Sequence, residues 1–443
     1  MSRVKWVAKT LDSLRSLLGK SDLKHLELIT EACLSMSGRV TMLGISRWTE
    51  EGGSYRTIQR FFGKVHDWSK WRWLLIKNNI GDNLSGTWLI AGDEVVVTQS
   101  GKETFGLGKF FSSIQNQVVP GLCFLNISLV HVESRASYPL VTEQLVRAEA
   151  KETAPKAAVK EATPKGKGGR PKGSKNKNRT EVTLSAFQLQ LKACIQLALN
   201  LILDSLTIAY FVYDGALGNN AGFQLVKQAG LHLISKLRHN STLYFPYNGT
   251  YSGKGKPKKY GDKFTVDQLT PEYLCHEEVE KNIRTRIYQV QLLHKNFPQP
   301  LNVVVIVKTN LTTGKSAKVL LFSDDLELAY DKLIDYYQLR FQIEFNFRDA
   351  KQYWGLEDFM NVNETQVSNA ANFSLFMVTF SRLLLPQLQD MNIESMLDLK
   401  TVFRARKYTR RIINSLGINA EEFLIDNRIF EAAEIGRIHA RAA

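Results

Sequence analysis

The chain has 443 residues, a formal net charge of +15 and an apolar fraction of 44%, which suits two or three domains of roughly 150 residues with cores of ordinary size. No apolar run reaches the roughly 18 residues of a membrane span, the N-terminus lacks the charged-then-apolar pattern of a secretory signal, and Cys33, Cys123, Cys194 and Cys275 are too far apart for a zinc-binding pair or a disulfide framework. Four buried thiols in a reducing cytoplasm are therefore expected, and the basic balance favours polyanionic partners because Lys and Arg neutralise phosphates and release counterions.

Residues 1 to about 80 read as helical. Leu11, Leu14, Leu17 and Leu18 recur at helical spacing, as do Leu26, Ile29 and Cys33. After Gly52 and Gly53 comes a short helix from Tyr55, with Ser54 as its N-cap. Ile58, Phe61 and Phe62 face a core there, while Arg56, Gln59 and Arg60 face out. This arrangement fits either a DNA-binding helix-turn-helix module or an ordinary amphipathic surface helix.

The run 87–97 is apolar and β-branched, as a buried strand should be, and it carries Asp93. A second strand, apolar on both faces, is expected over 118–132. Residues 148–181 are poor in large apolar side chains and are expected to be a disordered insert. Between Lys151 and Arg179 there are ten Lys or Arg against two Glu, so +8 of the +15 sits in that stretch. Within it, Gly169-Arg170-Pro171-Lys172 has the form of a thin arm for a narrow A·T minor groove, or of a solvated basic linker.

A helix is expected over 184–203, then an apolar strand from Thr207 that ends on Asp214. Asn219 or Asn220 is a candidate cap for a helix reaching Lys227, and 231–236 is another strand ending on Lys236. Residues 239–320 are strand-rich, most clearly at Val303–Val307. Residues 326–353 are strongly helical, and the tail is helical and basic, with Arg404, Arg406, Lys407, Arg410 and Arg411.

Two apolar strands that each deliver an Asp near the carboxyl end, if neighbours in one sheet, hold two carboxylates about 4.8 Å apart. Such a pair repels unless a cation lies between them, and hard oxygen donors suit Mg²⁺. Strand-ending aspartates are also common turn formers, so neither is decisive alone. The segment around Glu344 adds weight. Tyr337, Arg340, Glu344 and Lys351 fall at offsets 0, 3, 7 and 14, which on one continuous helix lie within about 60° of each other. Arg348 falls close to the same stripe. The alternative is a solvated charged face with i,i+4 pairs.

This Tyr-x-x-Arg-x-x-x-Glu-x-x-x-x-x-x-Lys run resembles the signature of DDE transposases of the insertion-sequence-4 type. Asp93, in Ala-Gly-Asp-Glu, and Asp214, in Val-Tyr-Asp-Gly-Ala, stand in the matching order. The resemblance spans roughly 85–360. It implies an α/β chain with a ribonuclease-H-like mixed sheet flanked by helices, a β-rich insertion before the last catalytic helix and an α-helical N-terminal DNA-binding domain. The corresponding segments are 1–80 (helical, DNA-binding), 85–238 (first part of the core, with the insert 148–181), 239–320 (insertion), 321–385 (second part of the core) and 386–443 (basic helical tail).

The resemblance further implies that Asp93, Asp214 and Glu344 hold two Mg²⁺ ions, with Mn²⁺ as a substitute. Those ions would activate water, and then a 3′-hydroxyl, for attack on phosphodiesters. Arg340 and Lys351 would bind phosphates near the element's end, and Tyr337 the same backbone. Arg348 and Lys236 are expected alongside them as DNA contacts, Arg56 and Arg60 on the N-terminal helix, and Arg170 and Lys172 in the insert. An aromatic of the insertion, among Tyr244, Tyr247 and Tyr251, would stack on a flipped base. The partner is double-stranded DNA at inverted-repeat ends and targets, bound by a homodimer, in a cytoplasmic, nucleoid-associated setting. The competing functions are a metal-dependent nuclease of the same fold without strand transfer, and a sequence-specific DNA-binding protein that has lost catalysis.

Overall fold

The computed structural model describes residues 5–49, 52–112, 116–147, 178–251, 253 and 255–417. Arg170, Lys172 and most of the basic insert expected at 148–181 lie outside the described residues. Helices α1 (Lys5–Leu11), α2 (Lys20–Ser35), α3 (Met42–Trp48), α4 (Tyr55–Phe62) and α5 (Trp68–Ile80) come first. Strands β1 (Trp88–Thr98), β2 (Gly108–Ser112), β3 (Gln117–His131) and β4 (Ala136–Gln144) follow, then α6 (Ala186–Ile202), β5 (Tyr210–Val212), α7 (Asn220–Gln228) and β6 (His232–Lys236). Next are β7 (Leu243–Pro246), β8 (Tyr260–Lys263), β9 (Leu274–Glu280), β10 (Ile283–His294), β11 (Leu301–Asn310) and β12 (Ser316–Ser323). Helices α8 (Tyr330–Leu339), α9 (Gln342–Tyr353), α10 (Glu364–Leu384) and α11 (Met396–Ser415) complete the order.

The chain divides into two compact units. The first comprises Met1–Gln144, Gln190–Tyr213 and Asp335–Ala443, the second Leu145–Leu189 and Asp214–Ile334.

In the first unit, β1 runs antiparallel to β3 over its whole length, from Trp88 opposite His131 to Thr98 opposite Gly121. It runs parallel to β5, with Ile90 opposite Phe211 and Ala91 opposite Val212. Strands β2 and β4 also pair with β3. Residues 121–130 of β3 are buried on both faces, as a strand with neighbours on both edges should be. This is the ribonuclease-H-like mixed sheet flanked by helices that the sequence leads one to expect.

Helix α10 is buried along most of its length, as a helix inside a core and not on a surface. It packs on β4, α5 and α9. The N-terminal helices join the same core. Trp68 Nε1 donates to Asn369 Oδ1 at 2.7 Å, Asn369 Nδ2 donates to Phe62 O at 2.7 Å, and the Trp68 and Phe376 rings lie 5.5 Å apart. Strand β4 contains a bulge. Val141 faces Ile127 and Pro139 faces Ser128, which leaves Leu140 outside the ladder. The fully buried Arg72 of α5 supplies what the bulge lacks: its Nη1 donates to Leu140 O at 3.1 Å.

The second unit is built on an antiparallel sheet in the order β6, β12, β11, β10, with β9 and β7 both pairing with β10 and β8 with β7. Helix α7 is capped by Asn219, whose side chain accepts from Gly222 N at 3.1 Å. Among the described residues, no helix is long and apolar enough to cross a membrane. The expectation of four buried thiols holds for Cys33, Cys123 and Cys194 but not for Cys275, which is exposed. It lies on β9, where the described positions after Leu274 all face solvent.

Candidate active site

Asp93 is the sixth residue of the eleven in β1, not a residue near its carboxyl end. The strand continues to Thr98 because β3 pairs with it throughout. The expectation holds in a narrower sense: on the β5 side, pairing ends at Ala91. Residues 88–92 are buried on both faces, and from Asp93 onward the strand alternates between buried and exposed positions. Asp93 is thus the first side chain of β1 to emerge from the core. Gly92 before it is closely packed: a Cβ there would lie 3.0 Å from the Phe211 and Tyr213 rings, which would have to give way. The Asp93 carboxylate is one-fifth exposed, and its Oδ1 accepts from the backbone N–H of Glu94 at 2.9 Å.

The segment expected as one helix over 326–353 is broken. Helix α8 stops at Leu339 and α9 starts at Gln342. Across the join, Phe341 N donates to Gln338 O, and Glu344 N to Phe341 O, each at 3.0 Å. These are the tighter i→i−3 bonds of a 3₁₀ turn. Tyr337, Arg340, Glu344 and Lys351 therefore do not share one continuous helical face. Tyr337 belongs to α8, Arg340 to the join, and Glu344 and Lys351 to the first and last turns of α9.

The break still leaves Arg340 and Glu344 one turn apart. The Arg340 guanidinium donates to both carboxylates, through Nη1 to Asp93 Oδ2 at 2.6 Å and through Nη2 to Glu344 Oε1 at 3.2 Å. The first and third carboxylates of the expected triad thus converge on one cation, and Arg340 here touches carboxylates where the sequence pointed to phosphate. Charge-assisted bonds of this kind are short and directional. Lys351 also returns to β1: its Nζ donates to Val96 O at 3.0 Å and lies 2.6 Å from Glu357 Oε1.

Asp214 opens the second unit, two residues beyond the end of β5. Its Oδ1 accepts from Ala216 N at 2.8 Å, an Asx-type turn, and its carbonyl accepts from Ser235 Oγ at 2.6 Å. The other expected DNA contacts are dispersed. Arg348 is largely exposed; its guanidinium donates to Asp349 and lies 4.8 Å from the Phe345 ring centre. Lys236 is exposed at the end of β6. Arg56 and Arg60 are exposed on α4, and Ser54 caps that helix by accepting from Thr57 N at 3.3 Å.

A polar network behind the site was not anticipated. Asn346 of α9, fully buried, donates to Ser128 Oγ of β3 and Ser137 Oγ of β4 at 3.2 and 2.8 Å. Ser128 Oγ in turn donates to Asn126 Oδ1 at 2.6 Å, and Asn126 stands opposite Asp93 in the ladder. Asn346 therefore fixes the rotation of α9 two residues from Glu344. The available signal was an amide at a core position, next to Phe347 and three residues after Ile343.

Among the described residues, no three His, Cys, Asp or Glu side chains form a metal-holding group. Asp93 and Glu344 nevertheless present hard oxygen donors to a shared positive charge, which is donor chemistry that fits Mg²⁺ or Mn²⁺. Residues 13–295 match the profile of a family described as DDE superfamily endonuclease. Glu344 lies beyond the matched span. No curated protein matches the chain.

Proposed function

The chain belongs to the DDE superfamily of endonucleases, and from that premise we propose that it is a transposase that binds the inverted-repeat ends of an insertion sequence, cuts them and joins them to target DNA. The observation that carries this reading is the meeting of Asp93 and Glu344 at Arg340. Two carboxylates far apart in sequence come from a central strand and a half-buried helix to one charge, in the order the family name implies.

The third carboxylate of the proposal is Asp214. Ala91 and Val212 are the last paired residues of β1 and β5, and Asp93 and Asp214 each follow by two residues. Equal offsets on adjacent parallel strands support assigning Asp214 to the same chemistry. Asp93, Asp214 and Glu344 would hold two divalent cations, which activate the attacking oxygen and stabilise the leaving one in phosphodiester displacement. The chain's own groups orient that chemistry. Arg340 neutralises and spaces the carboxylates until phosphate oxygens arrive, then binds phosphate with its planar fork. Lys351, already held against β1, supplies a point charge beside it. Arg56 and Arg60 of α4 contact the end duplex, Arg348 and Lys236 flank the cut, and two copies of the chain pair the two ends.

The test is Mg²⁺-dependent cleavage of a duplex bearing the terminal repeats, read from the DNA that flanks the gene. Asp93→Asn, Asp214→Asn and Glu344→Gln should each lose cleavage by at least a thousandfold while end binding stays within a few-fold. Cleavage retained by any one variant removes that residue from the triad.

A further inference from the structure

The second unit carries an open groove of about 1070 Å³ that the proposed chemistry does not use. Arg179, Lys256, Lys259 and Lys295 line it against one acid, Glu181, and Tyr260 forms part of its wall. The cations are placed by the fold. Arg179 Nη1 donates to the Tyr260 hydroxyl at 2.8 Å and to Phe297 O at 3.3 Å, Lys259 Nζ donates to Pro298 O at 3.1 Å, and Lys295 Nζ sits 4.6 Å from the Tyr244 ring centre. The Tyr244 and Tyr260 rings meet edge to face, 5.5 Å apart. Tyr260 is half-buried, held through its hydroxyl by Arg179 and at its ring by Tyr244.

We propose that this groove binds a single strand of DNA, with its phosphates on Lys256, Lys259 and Lys295 and a base against the Tyr260 ring. A positively charged groove with an aromatic wall is the general device for holding single-stranded nucleic acid without regard to sequence. The inference rests on DNA being the substrate and adds where an unpaired strand is held.

The test measures anisotropy of labelled single-stranded oligonucleotides, and of duplex ends, on the full chain across a salt series. The triple variant Lys256→Gln, Lys259→Gln, Lys295→Gln should bind single strands at least tenfold more weakly. Its log–log salt slope should fall by about 2, at roughly 0.7 per lost phosphate contact on single strands, while duplex-end affinity stays within threefold. Tyr260→Phe, which keeps the ring, should bind single strands within threefold of wild type, and Tyr260→Leu at least fivefold more weakly with the slope unchanged. Unchanged single-strand affinity and slope in the triple variant would overturn the inference alone. An equal loss on duplex ends would assign the groove to duplex and overturn it as stated. A wild-type chain that binds neither form would overturn the transposase reading as well.

Discussion

Arg72 offers the sharpest test of how the catalytic core is held. It is fully buried, and its guanidinium makes four hydrogen bonds: Nη1 to Leu140 O at 3.1 Å and Thr142 Oγ1 at 3.2 Å, Nη2 to Asn372 O at 2.7 Å and Asn372 Oδ1 at 2.6 Å. Burial pulls its pKa down to about 9, with Glu143 opposing the shift. Arg72→Met keeps most of the volume and relieves that desolvation, but it strands acceptors. Thr142 Oγ1 still receives a bond from Asn126 Nδ2, and the Asn372 carbonyl lies inside α10, where the helix supplies a donor. Leu140 O, outside the ladder, and Asn372 Oδ1 lose these donors. At about 1–3 kcal/mol for each buried group left unpaired, the variant should be destabilised by about 3 kcal/mol. Arg72→Lys should lose nearly as much, because an ammonium lacks the planar fork that reaches two elements at once. All seven tryptophans, including Trp68, Trp71 and Trp73 of α5, belong to the first unit. Urea unfolding followed by tryptophan fluorescence therefore reads this unit, as a lowered midpoint at constant slope. A Met variant as stable as wild type, or more so, would refute the reasoning and show that charge burial outweighs the bulge contact.

Lys400 gives a pH signature. Its Nζ donates to Cys33 O at 2.7 Å and lies 4.8 Å from the Trp354 ring centre, and burial lowers its pKa from 10.5 to about 8. The folded value is below the unfolded one, so between about pH 8 and 10.5 the unfolded chain holds the extra proton and stability rises with pH. Relative to Lys400→Met, wild type should gain up to about 3 kcal/mol across that window, and a pH-independent difference in urea midpoints would contradict this. Gly92→Ala should cost about 1–3 kcal/mol by overpacking, measured by the same unfolding assay, since the new methyl meets two buried rings. Arg340→Gln should lower end cleavage at saturating Mg²⁺ at least tenfold, with Arg340→Lys between it and wild type, as a point charge can serve only one carboxylate well. Equal rates in single-turnover cleavage would remove Arg340 from the machinery.

What the sequence disclosed and what it hid follow a physical division. Signals carried by neighbours in the chain were legible: the Ser54 and Asn219 caps, the apolar run of β1, and the offset of four between Arg340 and Glu344. Signals that depend on distant partners were not. Strand β4, with Pro139 and a bulge, lacks regular alternation, and its place is fixed by β3 and Arg72. The break at Arg340 and Phe341 falls in a segment of unbroken helical periodicity, and no Gly or Pro marks it. Arg72 and Asn346 read as surface residues by type, yet both are fully buried and hydrogen-bonded to groups more than 60 residues away. For the site itself, the sequence put Asp93 and Glu344 in one constellation. It could not reveal that Arg340 would be the group joining them.

The most direct test of the account is strand joining. Purified chain is incubated with Mg²⁺, a pre-cut end duplex bearing a 3′-hydroxyl, and supercoiled plasmid, and the covalent joint is counted by sequencing. Joints are expected in which the end's 3′-hydroxyl is bonded to plasmid phosphate, dependent on Mg²⁺ and absent in the Asp93→Asn, Asp214→Asn and Glu344→Gln variants. Nicked plasmid without joints would show an endonuclease that does not transpose, and joints formed by any of the three variants would contradict the proposed site.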